Sequence, residues 1–155
     1  MPSFSEVLSK SAESIERPPL PPKGTYVLVV YGQPKPPRES KEWEVLDIPL
    51  RAVRADDAAG DVDIEELRAY GDPKNIMVRK SFMFNTTDDA AFKTTEFQLR
   101  EFLTKHLGLD ESLTIKELLA MSVNKQCLGV IDYSPDRNDP ERVYVDLKRT
   151  APIEA

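Results

Sequence analysis

The sequence predicts a single α+β domain, mainly β, built on a five-stranded antiparallel barrel with a helical pair between strands three and four. Three observations predict it. Five segments rich in β-branched and aromatic residues are separated by turn-forming residues. Two short amphipathic stretches fall between the third and fourth of them. Finally, 155 residues at 40% hydrophobic and 31% charged suit one globular unit that buries its own core.

Residues 1–22 read as an N-terminal helix and a proline-rich tether. Ser3 and Glu6 stand at capping-box spacing, which predicts a helix over 3–16 with Val7, Leu8 and Ile15 as a sparse apolar face. The prolines between Arg17 and Pro22 then hold the chain extended, because each fixes φ and lacks a donor.

Residues 23–150 form the barrel domain. The first strand, Gly24 to Tyr31, is apolar without alternation and so is expected to be covered on both faces. A stiff basic loop follows, with Lys35, Arg38 and three prolines. The second strand runs from Trp43 to Arg54. It places Leu46, Ile48, Leu50 and Ala52 on one face, and Pro49 implies an edge position or a bulge. An acidic insert over 55–74 contains about two helical turns. The third strand, Asn75 to Phe84, sets Ile76, Val78, Lys80, Phe82 and Phe84 against Met77, Arg79, Ser81 and Met83.

Thr95 and Gln98 predict the cap of a helix running to Leu107, with Gly108 ending it. Thr114 and Glu117 predict a second, over 114–121. The fourth strand, Lys125 to Tyr133, contains Gly129, which marks a bend or a close backbone approach. The fifth, Arg142 to Arg149, alternates Val143, Val145 and Leu147 inward with Tyr144, Asp146 and Lys148 outward. Residues 151–155 are a tail.

Charge narrows the function classes. The net charge is −6, but segment 55–72 holds seven acids against Arg68 alone, so the rest of the chain is balanced. Phosphate contact needs Lys and Arg, and a balanced body still permits it. The single cysteine, Cys127, lies in an apolar run and reads as a buried hydrophobe. The single histidine, His106, reads as a cation at a helix C-terminus. No apolar run reaches the roughly 20 residues of a membrane helix, and the first ten residues lack a signal-peptide pattern, so the expectation is the cytoplasm and no membrane partner.

No phosphate loop, nucleophile elbow or dinucleotide fingerprint is present, so the chain reads as a non-enzyme without cofactor or metal. The acids Asp56, Asp57, Asp61 and Asp63 lack the glycine and distal glutamate of a calcium loop and read as a solvated surface. What the strands do carry is aromatic rings beside cations, the two requirements of sequence-tolerant single-strand binding. The candidate nucleic-acid-binding residues are Tyr31, Lys35, Arg38, Lys41, Trp43, Arg51, Arg79, Lys80, Tyr133, Arg142, Tyr144 and Lys148. A partly open five-stranded barrel of the OB type binds oligonucleotides on its exposed face and loops.

In layout the chain resembles small phage-encoded single-stranded-DNA-binding proteins of OB-fold type. The matching pieces are the Ser3-Phe4-Ser5-Glu6 leader, Leu20-Pro-Pro-Lys-Gly-Thr-Tyr26 entering the first strand, the Pro/Lys loop, the Val45–Leu50 strand, the Gln98–Leu107 helix before a second short helix, and a closing strand ending near Pro152. The resemblance implies binding to single-stranded DNA, or RNA, in phage replication or recombination in the host cytoplasm, with self-association allowed. The 55–72 insert would then recruit replication or recombination proteins. Two other readings stand beside it. One is a phage interaction or adaptor module docking through its apolar leader. The other is a metal-dependent nuclease, for which Asp47 and Asp132 are the acids to watch.

Overall fold

The computed structural model describes residues 2–16 and 19–153. Its elements, in chain order, are α1 (Phe4–Leu8), β1 (Gly24–Val30), β2 (Arg38–Ser40), β3 (Trp43–Ala55), α2 (Ile64–Tyr70), β4 (Met77–Asn85), α3 (Asp89–Glu101), α4 (Ile115–Met121), β5 (Gln126–Pro135) and β6 (Val143–Ala151). The fold is mostly β, a six-stranded antiparallel sheet with short helices. The five long strands run β4-β3-β1-β5-β6, and β2 extends the sheet beside the start of β3. β4 and β6, the two ends of this order, come into contact without pairing, so the sheet curls but stays open along that seam.

The expected five strands therefore become six. Arg38–Ser40 belongs to a hairpin rather than a loop, pairing with Trp43–Val45 around Lys41, whose φ is +44°. Pro49 lies in a central strand, yet no ladder bond is lost. Its carbonyl accepts from the Tyr31 N–H at 3.4 Å, so its nitrogen faces that same edge, away from β4. β2 covers that edge only to Val45 and β1 resumes at Leu50, which leaves the proline in the gap.

The core forms where the predicted inward faces meet. Tyr26, Leu28, Val30, Leu46, Ile48, Leu50 and Ala52 are buried with Phe82, Cys127 and Ile131. Gly129 fits because a Cβ there would meet Leu147 Cδ1 at 2.9 Å and Leu28 Cγ at 3.1 Å, the close approach its placement suggested.

The helices depart more from expectation. The leader forms one short α-helix, α1, and a 3-10 turn at Ala12–Ser14 instead of a helix over 3–16. Ser3 precedes α1, but its hydroxyl pairs with that of Ser5 and makes no cap bond. Arg17 and Pro18 fall outside the described residues. The predicted helix at 95 starts earlier, because Asp88 caps it through the Ala91 N–H at 3.2 Å. Thr95 is interior, its hydroxyl donating to the Met83 carbonyl at 3.0 Å and tying α3 to β4. After Glu101 the helix widens into a π-turn over Phe102–His106 that buries Phe102 and Leu103, and Gly108 ends it at φ +74°. The Thr114–Glu117 capping box is formed.

The acidic insert is part of the body rather than a loose surface. Val62 and Leu67 are buried. Asp61 accepts from the Thr25 N–H and hydroxyl, both at 2.8 Å. Asp63 caps α2. No helix among the described residues is long and apolar enough to cross a membrane.

Candidate functional site

The open seam creates a cleft of about 1030 Å³. Its floor is the outer face of β3 and β4, where Asp47 and Pro49 lie opposite Ser81 and Arg79 in register, with Val45 and Met77 at its ends. One wall is the loop from Tyr31 to Arg38, and the other is the start of β6 with Tyr144. Strand alternation explains the floor. The core claims Phe82 and half-buries Val78 and Phe84, so Met77, Arg79, Ser81 and Met83 must point out, and Met77 and Met83 are more than half exposed.

The structure brings six of the twelve candidates to this cleft: Tyr31, Lys35, Arg38, Arg79, Lys80 and Tyr144. Tyr31 and Tyr144 are 41% and 47% exposed, large rings the core does not use. The other six lie outside its lining. Lys41 occupies the hairpin tip and Trp43 the first position of β3, paired across to Asn85. Arg51 sits 5.9 Å from the centroid of the Tyr31 ring and supports it from outside. Tyr133 is structural: its hydroxyl donates to the Pro21 carbonyl at 2.8 Å, and Tyr26 holds Pro22 in the same way at 2.5 Å. Lys148 is occupied by the Ser134 hydroxyl and by Asp146 at 3.6 Å. Arg142 belongs to the connection before β6, its N–H donating to the Asp139 carbonyl at 2.9 Å.

The cleft is electropositive in an acidic protein. Lys35, Arg38, Arg79 and Lys80 face two carboxylates, Asp47 and Asp146. Arg38 is paired with Asp47 at 2.8 Å, and Asp47 also accepts from the Ser81 hydroxyl. Among the described residues, Lys35, Arg79 and Lys80 have no ion-pair partner. Lys80 is the most unusual of them. It is half-buried, 5.8 Å from the Phe82 ring centroid, and burial holds its pKa below the usual lysine range.

His106 stands in the last turn of the 102–106 segment, at the helix end where the sequence placed it, but it is half-buried and lies near Lys80. Its Nδ1 pairs with the Thr150 hydroxyl at 2.7 Å, and burial, then the Lys80 charge, hold its pKa below the usual histidine range. The neutral ring is therefore favoured over the cation. Asp47 lines the cleft and Asp132 does not; Asp132 accepts from the Tyr133 N–H at 2.7 Å. Among the described residues no three His, Cys, Asp or Glu side chains are grouped to hold a metal ion.

Sequence reasoning missed Gln33, Asp146 and the floor role of Asp47 and Ser81. The signal for the floor was present: every second residue of two paired strands must share a face. Compared with known proteins, the chain matches no protein-family model and no curated sequence.

Proposed function

We propose that this protein binds single-stranded nucleic acid, DNA foremost, along the β4–β6 cleft, tolerating any sequence and without catalysis. The observation that carries the reading is the combination in one groove of three cations lacking ion-pair partners with two exposed tyrosine rings. Cations follow the phosphates and rings stack on bases, each base–ring contact contributing roughly 1–3 kcal/mol. We further assign the sheet to the OB type. The strand order β4-β3-β1-β5-β6, with its ends in contact and helices between the third and fourth long strands, supports a partly open Greek-key barrel. The layout shared with small phage single-strand binders supports a role in phage replication or recombination in the host cytoplasm. In that setting the exposed acids of the insert, Asp57, Glu65, Glu66 and Asp72, are a surface for recruiting basic partner proteins.

The test is a titration of labelled oligo-dT against a duplex of equal length at 50 and 200 mM salt. Three neutralised phosphates imply a log–log slope near −2, so the fourfold rise in salt should weaken oligo-dT binding about twentyfold. Arg79→Ala with Tyr144→Ala should abolish most of the affinity, and both side chains are exposed, so the fold should survive. Absence of salt-sensitive binding to any single strand rejects the reading.

One observation favours a second reading, a protein-interaction module. α1 has no buried residue and presents Phe4 at 74% and Leu8 at 72% exposure. Loss of a specific partner on Phe4→Ser with Leu8→Ser, in a protein that binds no oligonucleotide, would establish it.

A further inference from the structure

A second cavity, of about 290 Å³, opens on the other side of Lys80. It joins Lys80 and Phe82 of β4 to Phe97, Gln98 and Glu101 of α3 and to His106. Lys80 and Ser81 line both cavities, so the two adjoin at this point of β4. The volume lies at the low end of small-molecule sites, which run roughly 300–1,000 Å³. It suits one planar ring rather than a stretch of chain.

The chemistry of the lining is specific. Gln98 and Glu101 are three residues apart on α3, and Phe97 and Glu101 four apart, so one helix face presents a ring, an amide and a carboxylate together. Phe97 is 56% exposed although aromatic. Arg100 steadies this edge, 5.9 Å from the Phe97 ring centroid and 3.4 Å from a Glu101 oxygen. An ionised glutamate only accepts hydrogen bonds, whereas a glutamine amide both donates and accepts.

We propose that this pocket receives one base splayed out of the strand held in the cleft, and that it prefers cytosine. The proposal rests on the single-strand reading above and adds a base preference to it. Glu101 accepts from the cytosine N4 amino group, Gln98 donates to the ring acceptors beside it, and Phe97 stacks on the base. Lys80 holds the phosphate where the strand passes between the cavities. Thymine turns its O4 acceptor toward the carboxylate instead, and two acceptors repel.

Anisotropy titrations of labelled dC and dT homo-oligomers of equal length test the proposal. The wild type should bind dC about five- to tenfold more tightly than dT. Glu101→Gln should reduce that ratio below about twofold, and Phe97→Ala should weaken dC binding at least fivefold. Phe97 is exposed and Glu101 half-buried, and Glu101→Gln keeps the side chain's size; should Phe97→Ala fail to fold, Glu101→Gln carries the test alone. Equal dC and dT affinities in the wild type, or a preference untouched by Glu101→Gln, overturn the pocket. Salt-sensitive dT binding that persists in that case leaves the cleft reading standing. Failure of every single strand to bind the wild type overturns both.

Discussion

Arg38 Nη2 lies 2.8 Å from Asp47 Oδ2, fastening the short strand β2 to the floor of the cleft. The same carboxylate accepts from Ser81 on the neighbouring strand. In the nucleic-acid reading proposed above, a carboxylate in the cleft repels the phosphates and lowers affinity. Asp47→Asn should keep the Ser81 contact, free Arg38 and raise the cleft charge by one. Oligo-dT binding should tighten about three- to tenfold at low salt, and the log–log salt slope should steepen by about 0.7. Weaker binding would mean that Asp47 acts by positioning Arg38.

Gly129 is confined by Leu28 and Leu147, with Leu28 fully buried. Gly129→Val should overpack this layer at a cost of about 1–3 kcal/mol. For a domain of this size the thermal midpoint should fall by roughly 3–10 °C in circular-dichroism melts. An unchanged midpoint would show that β1 and β6 do not close over β5 as described.

Stability should fall at both ends of the pH scale, for separate reasons. The Thr25 N–H, the largest influence, and the Thr25 hydroxyl hold Asp61 below its ordinary 3.8. Its contribution is present above that value and lost as pH falls through the folded-state value. Tyr26 behaves oppositely. Burial, then neighbouring Tyr133 and acids, push its hydroxyl well above its ordinary 10.0, so its contribution is full below pH 10 and lost progressively as pH rises from there through the folded-state value. Denaturant midpoints measured against pH should decline on both arms, with Asp61→Asn flattening the acid arm and Tyr26→Phe the alkaline one.

Cys127 should be chemically silent in the folded protein. Its side chain is fully buried, and burial pushes the thiol up to about 12. A disulfide reagent at pH 8 should react only in unfolding denaturant. Rapid reaction in native buffer would place the thiol on an accessible surface.

Strand content and sidedness were legible because alternation is written directly into the chain. Leu46, Ile48, Leu50 and Ala52 went inside and Met77, Arg79 and Met83 outside, as the period of two requires. Helix starts were less legible. A capping pair marks a start only where the preceding residues leave the helix, and Asp88 takes that role seven residues before Thr95. The cleft was half legible. Tyr31, Lys35, Arg38, Arg79, Lys80 and Tyr144 converge, but convergence depends on which way the 31–38 loop folds and on where the sheet fails to close. Tyr133 illustrates the limit: its place on a strand could not reveal that its hydroxyl belongs to Pro21. The half-buried state of His106 depends on the π-turn, a distortion without a sequence signature here.

The unpaired seam has one more effect. Within the sheet β4 pairs only with β3 and β6 only with β5, so no ladder joins the main-chain groups of these two strands across the seam. These main-chain groups belong to every variant of the protein, whatever side chain is replaced. Any share they supply to the binding proposed above is out of reach of alanine scanning, and only backbone chemistry or a proline placed in β4 or β6 would remove it.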